Sequence, residues 1–161
     1  MQTEVFGKPI VVVLVERLVN GEKRVLMQKR FKPAEPEALH HCWEFPQGKM
    51  REGERLLEAA ARELHEETGL QLSSASATLQ LVEHEYCGIK VQAFNVPRVV
   101  LGINQGYLGV YVVVTAEGDC ITSDEAYGHQ FINQQQAMEI LKSERIFPLD
   151  APILMDYFAI K

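Results

Sequence analysis

The sequence predicts an α/β or α+β fold, in which helices pack on a mixed β-sheet. Two observations lead to this prediction. Short segments rich in β-branched and aromatic residues, typical of strands, recur along the chain, and segments with helical periodicity or composition lie between and after them. The length of 161 residues and the 47% hydrophobic content match one globular domain, residues 1–161.

The chain is predicted to begin with a β-hairpin. Residues 9–19 are rich in β-branched side chains and predict a buried strand, and residues 23–30 supply its partner. The dipeptide Asn20-Gly21 between them is a strong signal for a two-residue hairpin turn. Residues 31–42 hold two prolines and two histidines and predict a loop, and residues 43–48 predict a short strand that runs into a turn.

Residues 54–68 give the clearest helix prediction, and Gly69 is a natural C-terminal stop. The apolar stripe of this helix has i, i+3, i+4, i+7 spacing and consists of Leu57, Ala60, Ala61 and Leu64. Further strands are predicted at residues 78–86, 91–96, 107–115 and 130–132, with an irregular excursion at 97–106. Residues 134–142 and 149–160 predict two closing helices, the second of them amphipathic.

Charge and cysteine content exclude several classes of protein. The formal net charge is −6 and no long run of Lys or Arg occurs, so we expect no stable complex with nucleic acid. Three scattered cysteines without a CxxC pair argue against a disulfide framework and indicate a reducing compartment. The apolar run at residues 10–15 is too short to span a bilayer. We therefore expect a cytoplasmic protein without a membrane partner.

Three carboxylates share one side of the main predicted helix. At about 100° per residue, Glu67 lies ~40° to one side of Glu63, and Glu66 lies ~60° to the other. Side chains this close repel one another, and a hard divalent cation with several oxygen ligands would relieve the repulsion. Taken alone, the three glutamates favour a solvated helix face over a metal site.

The residues around these glutamates resemble the Nudix box. From Gly48 the order is Gly, any five residues, Glu54, any seven residues, then Arg62-Glu63-Leu64-His65-Glu66-Glu67-Thr68-Gly69-Leu70, which fills every defined position of that signature. The preceding residues 43–46, Trp-Glu-Phe-Pro, also resemble the family, although Gln47 stands where Gly is more usual.

The resemblance implies a Nudix-type α/β/α sandwich with a mixed central sheet. It also implies Mg²⁺- or Mn²⁺-dependent cleavage of a phosphoanhydride bond in a nucleoside diphosphate linked to another moiety. The implied metal ligands are Glu63, Glu66, Glu67 and the carbonyl of Gly48, with Glu63 alternatively acting as the base. Glu54 and Arg62 are expected to orient the helix and its carboxylates rather than to do chemistry.

Other residues are candidates for catalysis and for binding the substrate. Many family members use an acidic residue from a later loop, and Glu125, next to Asp124, lies at about that place. Arg30 and Lys29, at the end of the second predicted strand, are candidates for holding phosphates, with Arg30 favoured for its forked guanidinium.

The nucleotide itself is less well indicated. Tyr86 lies near the tyrosine of Nudix diadenosine polyphosphate hydrolases, and Pro46-Gln47-Gly48 also resembles that group. The downstream proline typical of ADP-ribose hydrolases is missing. A nucleoside triphosphate or a dinucleoside polyphosphate is therefore slightly preferred over ADP-ribose or a nucleotide sugar. Four aromatic residues either stack on a base or belong to the core: Phe31, Trp43, Tyr86 and Tyr107.

Two alternatives to an enzyme remain open at this point. The first is a non-catalytic Nudix domain that senses a nucleotide and regulates a partner, although a sensor has no need of an intact set of glutamates. The second is a housekeeping protein whose acidic helix serves solubility. A homodimer is also possible, formed through the apolar C-terminal helix or through residues 99–103.

Overall fold

A computed structural model describes residues 7–96, 98–103, 106–143 and 145–161, and these contain ten strands and three α-helices. The strands are β1 (Lys8–Val19), β2 (Glu22–Arg30), β3 (Trp43–Glu44), β4 (Gln47–Lys49), β5 (Gln71–Ala75), β6 (Leu81–Tyr86), β7 (Ile89–Phe94), β8 (Arg98–Gly102), β9 (Tyr107–Glu117) and β10 (Ala126–Ile132). The helices are α1 (Leu56–Thr68), α2 (Gln134–Lys142) and α3 (Ala151–Tyr157).

The central sheet is mixed, as the sequence predicts. Its strands follow the order β10–β2–β1–β9–β5, and β3, β4 and β8 pair with β2, β1 and β9 respectively. The pairing of β1 with β9 is parallel, and the other pairings are antiparallel. The predicted hairpin turn is confirmed, because Asn20 and Gly21 both have positive φ, 53° and 79°, as a two-residue turn between β1 and β2 requires.

Strand β1 lies at the centre of the protein and contributes to a core on each face of the sheet. Its residues at positions 11, 13 and 15 pack with Leu56 and Leu64 of α1. Its residues at positions 10, 12 and 14 pack with Ile140 of α2 and Leu154 of α3. Because side chains alternate along a strand, one buried strand serves both layers. Helices therefore cover both faces of the sheet, and the predicted α/β/α sandwich is confirmed.

Helix α1 differs from the prediction in its start and in its buried face. It begins at Leu56 rather than at residue 54. Leu57 and Ala61 are only half-buried, and the fully buried apolar residues are Leu56, Ala59, Ala60 and Leu64. The buried face is thus rotated toward the acidic side of the helix, so that Glu63 and Glu67 lie within it, at 8% and 3% exposure. Gly69, with φ 77°, ends the helix as predicted.

The segment between α1 and β9 contains more strand than the sequence predicts. Strand β5 was not predicted, and the irregular excursion at 97–106 is wrong for residues 98–102, which form β8. Residues 97, 104 and 105 lie outside the described residues. Strand β8 is stabilised by its pairing with β9, a tertiary contact that local sequence does not reveal. The predicted strand at 78–86 starts only at Leu81, because Leu79 N donates to the Ser76 carbonyl in a turn.

Strands β6 and β7 form a separate two-stranded hairpin. Polar contacts join it to the start of α1: Arg55 Nε donates to Glu83 Oε1 at 2.5 Å, and Leu56 N donates to Gln92 Oε1 at 3.0 Å. Its large apolar side chains are mostly exposed, with Tyr86 at 74% and Ile89 at 67%. The hairpin is therefore attached to the body of the protein by polar groups.

The closing helix α3 is shorter than predicted, and Asp150, the residue directly before it, is buried. Asp150 is fully buried, and its side chain makes no capping bond to its own helix. Instead, Oδ2 accepts from Phe45 N at 2.9 Å and from Gln47 Nε2 at 2.8 Å, and Oδ1 accepts from the Tyr111 hydroxyl at 2.9 Å. Burial raises the pKa of Asp150 to about 7. None of the helices in the described part of the chain is long and apolar enough to cross a membrane.

We expect the free energy of unfolding to fall as the pH rises from about 4 to about 7. Over this interval the folded protein keeps the Asp150 proton, while the unfolded chain, in which the pKa is near 3.8, releases it. The contribution of the Asp150 proton to the free energy of unfolding is complete below about pH 4 and lost above about pH 7. Asp150→Asn does not titrate, so its urea-unfolding midpoint should change less between about pH 5 and about pH 8 than the wild-type midpoint. Equal pH dependence in both proteins would contradict this assignment.

Candidate active site

Arg62 joins polar groups on and beside α1. Its Nε and Nη2 atoms donate to the two carboxylate oxygens of Glu54 at 2.6 and 2.8 Å, and Nη2 also donates to the Lys49 carbonyl at 3.1 Å. Its Nη1 atom donates to Glu63 and, at 3.2 Å, to Glu66 Oε2. The hydrogen bonds from Arg62 hold the pKa of Glu54 down to about 2. One guanidinium thus links Glu63 and Glu66 of the helix to Glu54 in the turn before it.

The Glu67 carboxylate is held on one oxygen only. Oε2 accepts from Gln28 Nε2 at 2.6 Å and from Gln47 N at 3.0 Å. Oε1 is buried and has no hydrogen-bond partner, although Lys32 Nζ lies 3.4 Å away as an ion pair. Burial raises the pKa of Glu67, while Lys32 and the two hydrogen bonds oppose the shift. Glu67 Oε1, which has no hydrogen-bond partner, therefore faces the Lys32 ammonium.

Lys32 forms ion pairs with both Glu67 and Glu125, the acidic residue of the loop before β10. Its ammonium lies 2.9 Å from Glu125 Oε2 and 3.4 Å from Glu67 Oε1. The two segments are also joined through the backbone, because Phe31 N donates to the Glu125 carbonyl at 2.8 Å. Glu125, which sequence analysis selected from the loop before β10, is therefore linked to Glu67 of α1 through the Lys32 ammonium.

Gly48 allows the backbone of β4 to lie directly against α1. It pairs with Val11 of β1, and a Cβ atom added to it would come well inside 3.0 Å of the Glu63 carboxylate, a distance that real Cβ atoms essentially never show. The need for glycine here is steric, since any side chain would displace Glu63. The Gly48 main chain and the Glu63 carboxylate consequently stand side by side.

The oxygen donors fit a hard divalent cation, although cationic side chains stand among them. Across residues 7–96, 98–103, 106–143 and 145–161, no three His, Cys, Asp or Glu side chains form a ready-made ligand cluster. Arg62 stands between Glu63 and Glu66, and Lys32 stands against Glu67. The unpartnered Glu67 oxygen and the close approach of Gly48 to Glu63 match the all-oxygen ligand sets that Mg²⁺ and Mn²⁺ prefer.

A family comparison agrees with this geometry, since the model of the NUDIX domain matches residues 8–148. The chain belongs to the Nudix family. It is accordingly a hydrolase of phosphoanhydride bonds, of a kind that acts on small-molecule nucleotide substrates and generally needs a divalent metal ion.

Solved Nudix structures share the fold. A NUDIX hydrolase from Nitrosomonas europaea has a TM-score of 0.65 and 20% identity over 98% of this chain and 73% of its own. The MutT protein from Methanosarcina mazei Go1 has a TM-score of 0.62 and 20% identity over 99% and 100%. A C. elegans Ap4A hydrolase, solved as a binary complex, has a TM-score of 0.57 and 16% identity over 94% and 96%. At these identities the similarity establishes the fold alone.

The two cations that sequence analysis assigned to phosphate already have partners within this Nudix domain. Arg30 is buried, and its guanidinium donates to Glu35 at 2.8 and 2.5 Å and to Glu44. Lys29 Nζ lies 4.0 Å from the centre of the Trp43 ring, and burial lowers the pKa of this lysine. Arg30 therefore sits behind the site as a counter-charge for Glu44, and this geometry does not favour a role in contacting substrate.

The aromatic candidates are dispersed. Tyr86 lies on the exposed hairpin, and Tyr107 packs partly against the core. Phe31 is close to both histidines of its loop, with ring-centroid distances of 5.2 Å to His40 and 6.0 Å to His41. The structure therefore does not bring the aromatic candidates together into one base-binding pocket.

Several polar residues behind the carboxylates were not singled out by sequence analysis. They are Gln28, Lys32, Glu44, Gln47 and Asp150. One signal was available for two of them: Gln28 directly follows the apolar run of β2 and Glu44 lies between two aromatic residues, so both stand in segments that are expected to be buried. Such side chains need partners, and here each has a partner from a distant part of the chain.

Proposed function

We propose that this Nudix hydrolase is a Mg²⁺- or Mn²⁺-dependent pyrophosphohydrolase that cleaves a phosphoanhydride bond of a nucleoside diphosphate linked to another moiety. The proposal is carried by three observations: Glu63 lies against the Gly48 backbone, Glu66 shares the Arg62 guanidinium with Glu63, and one buried Glu67 oxygen has no hydrogen bond. Three carboxylates and a backbone carbonyl are a hard-oxygen ligand set.

Each side chain of the site has a proposed role. Glu63, Glu66, Glu67 and the Gly48 carbonyl would hold the metal ion, which supplies polarisation of the phosphoryl oxygens and a lower pKa for the attacking water. Glu125, whose side chain is 56% exposed, would accept the proton of that water or complete the ligand set. Glu63 is the alternative base.

Two residues position the metal ligands without taking part in bond making. Arg62 and Glu54 hold Glu63 and Glu66 in one arrangement, because the guanidinium contacts all three carboxylates. Of Lys32 and Arg30, Lys32 is the better candidate to contact substrate phosphates, because its side chain is more exposed, at 21% against 7%, and its ammonium lies at Glu67 and Glu125. The forked donors of Arg30 are already occupied.

For the substrate, we propose a nucleoside triphosphate or a dinucleoside polyphosphate ahead of ADP-ribose and nucleotide sugars. The position of Tyr86 and the Pro46-Gln47-Gly48 sequence support this order. It is also in line with the names of two structural relatives, an Ap4A hydrolase and a MutT protein. A sensor that binds a nucleotide without cleaving it is the alternative, and the intact glutamate set counts against it.

A phosphate-release screen tests the proposal. Purified protein would be incubated with Mg²⁺ or Mn²⁺ and with nucleoside triphosphates, dinucleoside polyphosphates, ADP-ribose and other nucleotide sugars, with a coupled phosphatase where the product is not inorganic phosphate. Metal-dependent release from one class would establish the activity and its substrate. A folded protein that Mn²⁺ stabilises, but that releases nothing from any class, would favour the sensor.

We expect Lys32→Met to bind Mn²⁺ several-fold more tightly than the wild type does. The substitution removes the ammonium beside Glu67 and Glu125, so a metal ion no longer competes with it for these carboxylates. The metal-free variant should also melt at a lower temperature, because buried Glu67 loses its counter-charge. Thermal denaturation across a Mn²⁺ titration measures both effects. Lys90→Met, at an exposed ion pair on the hairpin, is the matched control. Weaker Mn²⁺ binding in Lys32→Met would contradict the prediction.

We also propose that the chain acts as a single domain in the cytoplasm, where its free cysteines stay reduced. If it forms a homodimer, the better candidate surface is formed by β8 and the residue after it, where Val99, Leu101 and Ile103 are 55%, 60% and 87% exposed. The other candidate, α3, uses Ile153 and Leu154 in the hydrophobic core of the protein itself.

A further inference from the structure

Asp150 is linked to the candidate active site through one neighbouring residue. Its Oδ2 atom binds the Gln47 side chain at 2.8 Å and the Phe45 backbone N at 2.9 Å, so it holds the segment that joins β3 to β4 at two points. Gln47 Nε2 also donates to the Phe45 carbonyl at 3.2 Å. The side chain of Gln47 is thereby fixed within the core, at 3% exposure.

The backbone of the same residue holds a carboxylate of the site. Gln47 N donates to Glu67 Oε2 at 3.0 Å, and this is one of the two bonds that orient Glu67. The other donor, Gln28 Nε2, is also within 3.4 Å of Glu44 Oε1 and so lies between two acceptors. Glu67 therefore depends on the position of Gln47 for the direction in which its free oxygen points.

Asp150 does not cap its own helix, although it stands at the position where an aspartate usually does so. It occupies the N-cap position of α3, where an aspartate ordinarily binds the first amides of its own helix, yet its side chain makes no such bond. The carboxylate instead accepts three hydrogen bonds from β9 and from the β3–β4 segment. Full burial of a carboxyl group is costly, and here the compensating contacts run toward the site.

We propose that Asp150 is a positioning residue that, through Gln47, sets the orientation of the Glu67 carboxylate. The inference rests on the proposed function of Glu67 as a metal ligand. Displacements well below 1 Å at a reacting centre are enough to slow turnover, so a residue that never touches the substrate acts on the rate through this path.

Three single variants separate positioning from stability. Gln47→Met removes the side-chain bond on the path to Glu67, and Tyr111→Phe removes a bond to the same Asp150 carboxylate that is off this path. We expect Gln47→Met to lower kcat about tenfold or more and to raise the Mn²⁺ concentration for half-maximal thermal stabilisation, with KM little changed. Tyr111→Phe should leave both quantities near wild type at a similar loss of stability. Asp150→Asn, whose amide oxygen still accepts from Phe45 N and Gln47 Nε2, should stay near wild type.

A double-mutant cycle completes the test. If Asp150 and Gln47 act on one path, Asp150→Ala combined with Gln47→Met should be no slower than the slower single variant. Losses of kcat that multiply, or equal losses in Gln47→Met and Tyr111→Phe, would overturn the inference. If Asp150→Ala does not fold, the comparison of Gln47→Met with Tyr111→Phe decides the matter.

The Mn²⁺ measurement keeps this inference separate from the proposed function. A wild-type protein that hydrolyses none of the substrates would count against the proposed activity, while half-maximal Mn²⁺ concentrations would still test the role of Asp150. A wild-type protein that Mn²⁺ does not stabilise would overturn the inference itself.

Discussion

Glu67→Gln is expected to abolish hydrolysis while the protein stays folded. The amide oxygen of glutamine can accept the bonds from Gln28 and Gln47 that Glu67 Oε2 accepts, so the local structure is kept. The variant loses the negative charge and one oxygen ligand at the metal position. We expect kcat to fall by at least about 100-fold, as for the loss of one preorganised electrostatic group at a reacting centre.

Two measurements accompany the rate. The melting temperature of Glu67→Gln in the absence of metal should stay close to that of the wild type, because neutralising a costly buried carboxylate offsets the loss of its ion pair with Lys32. Added Mn²⁺ should no longer raise it. Glu58→Gln is the matched control: it makes the same chemical change on the exposed side of α1, where glutamine still accepts the capping bond from Arg55 N. Undiminished turnover in Glu67→Gln would disprove the metal-site assignment.

Gly48→Ala is expected to damage the site through steric overlap. The new methyl group would occupy the position of the Glu63 carboxylate, so that the carboxylate must move or β4 must separate from α1. Overpacking of this kind costs about 1–3 kcal/mol of stability. We expect turnover to fall by at least about tenfold, because Glu63 and the Gly48 carbonyl are displaced together. Urea unfolding and phosphate release measure the two effects.

A control and a rescue variant identify the cause. Gly7→Ala adds a methyl group that meets its nearest atom, the Gly106 carbonyl oxygen, at an ordinary 3.5 Å, and should be close to neutral. Combining Gly48→Ala with Glu63→Asp shortens the overlapping side chain and should recover stability without recovering turnover. If the double variant is no more stable than Gly48→Ala alone, overlap with Glu63 is not the reason for the loss.

The sequence predicted correctly those features that depend on neighbouring residues, such as turns, helix ends and the spacing of side chains along one helix. The Asn20-Gly21 turn and the C-terminal stop of α1 at Gly69 depend on backbone conformations that those residues adopt readily, and the structure has both. The spacing of the box placed Glu63, Glu66 and Glu67 on one side of a helix, and the structure has them there too.

The remainder depends on contacts between distant segments. Gln28 meets Glu67 across 39 positions and Gln47 meets Asp150 across 103, so no pattern of spacing could have paired them. The exposed strand β8 is similar, since its backbone bonds come from β9. The buried face of α1 was misplaced because the stripe was assigned from apolar residues alone. Contacts with Lys32, Gln28 and Arg62 allow Glu63 and Glu67 to be buried as well.

The β6–β7 hairpin lets the length of the chain vary without disturbing the central sheet or the carboxylates of α1. It is inserted between β5 and β8, which both pair with β9, and polar contacts join it to the start of α1. Residues added to or removed from its tip shift neither of those registers, and they leave the distance from Gly48 to Glu67 unchanged. Relatives of this protein can therefore diverge in this segment by insertion and deletion while the spacing of the carboxylates stays fixed.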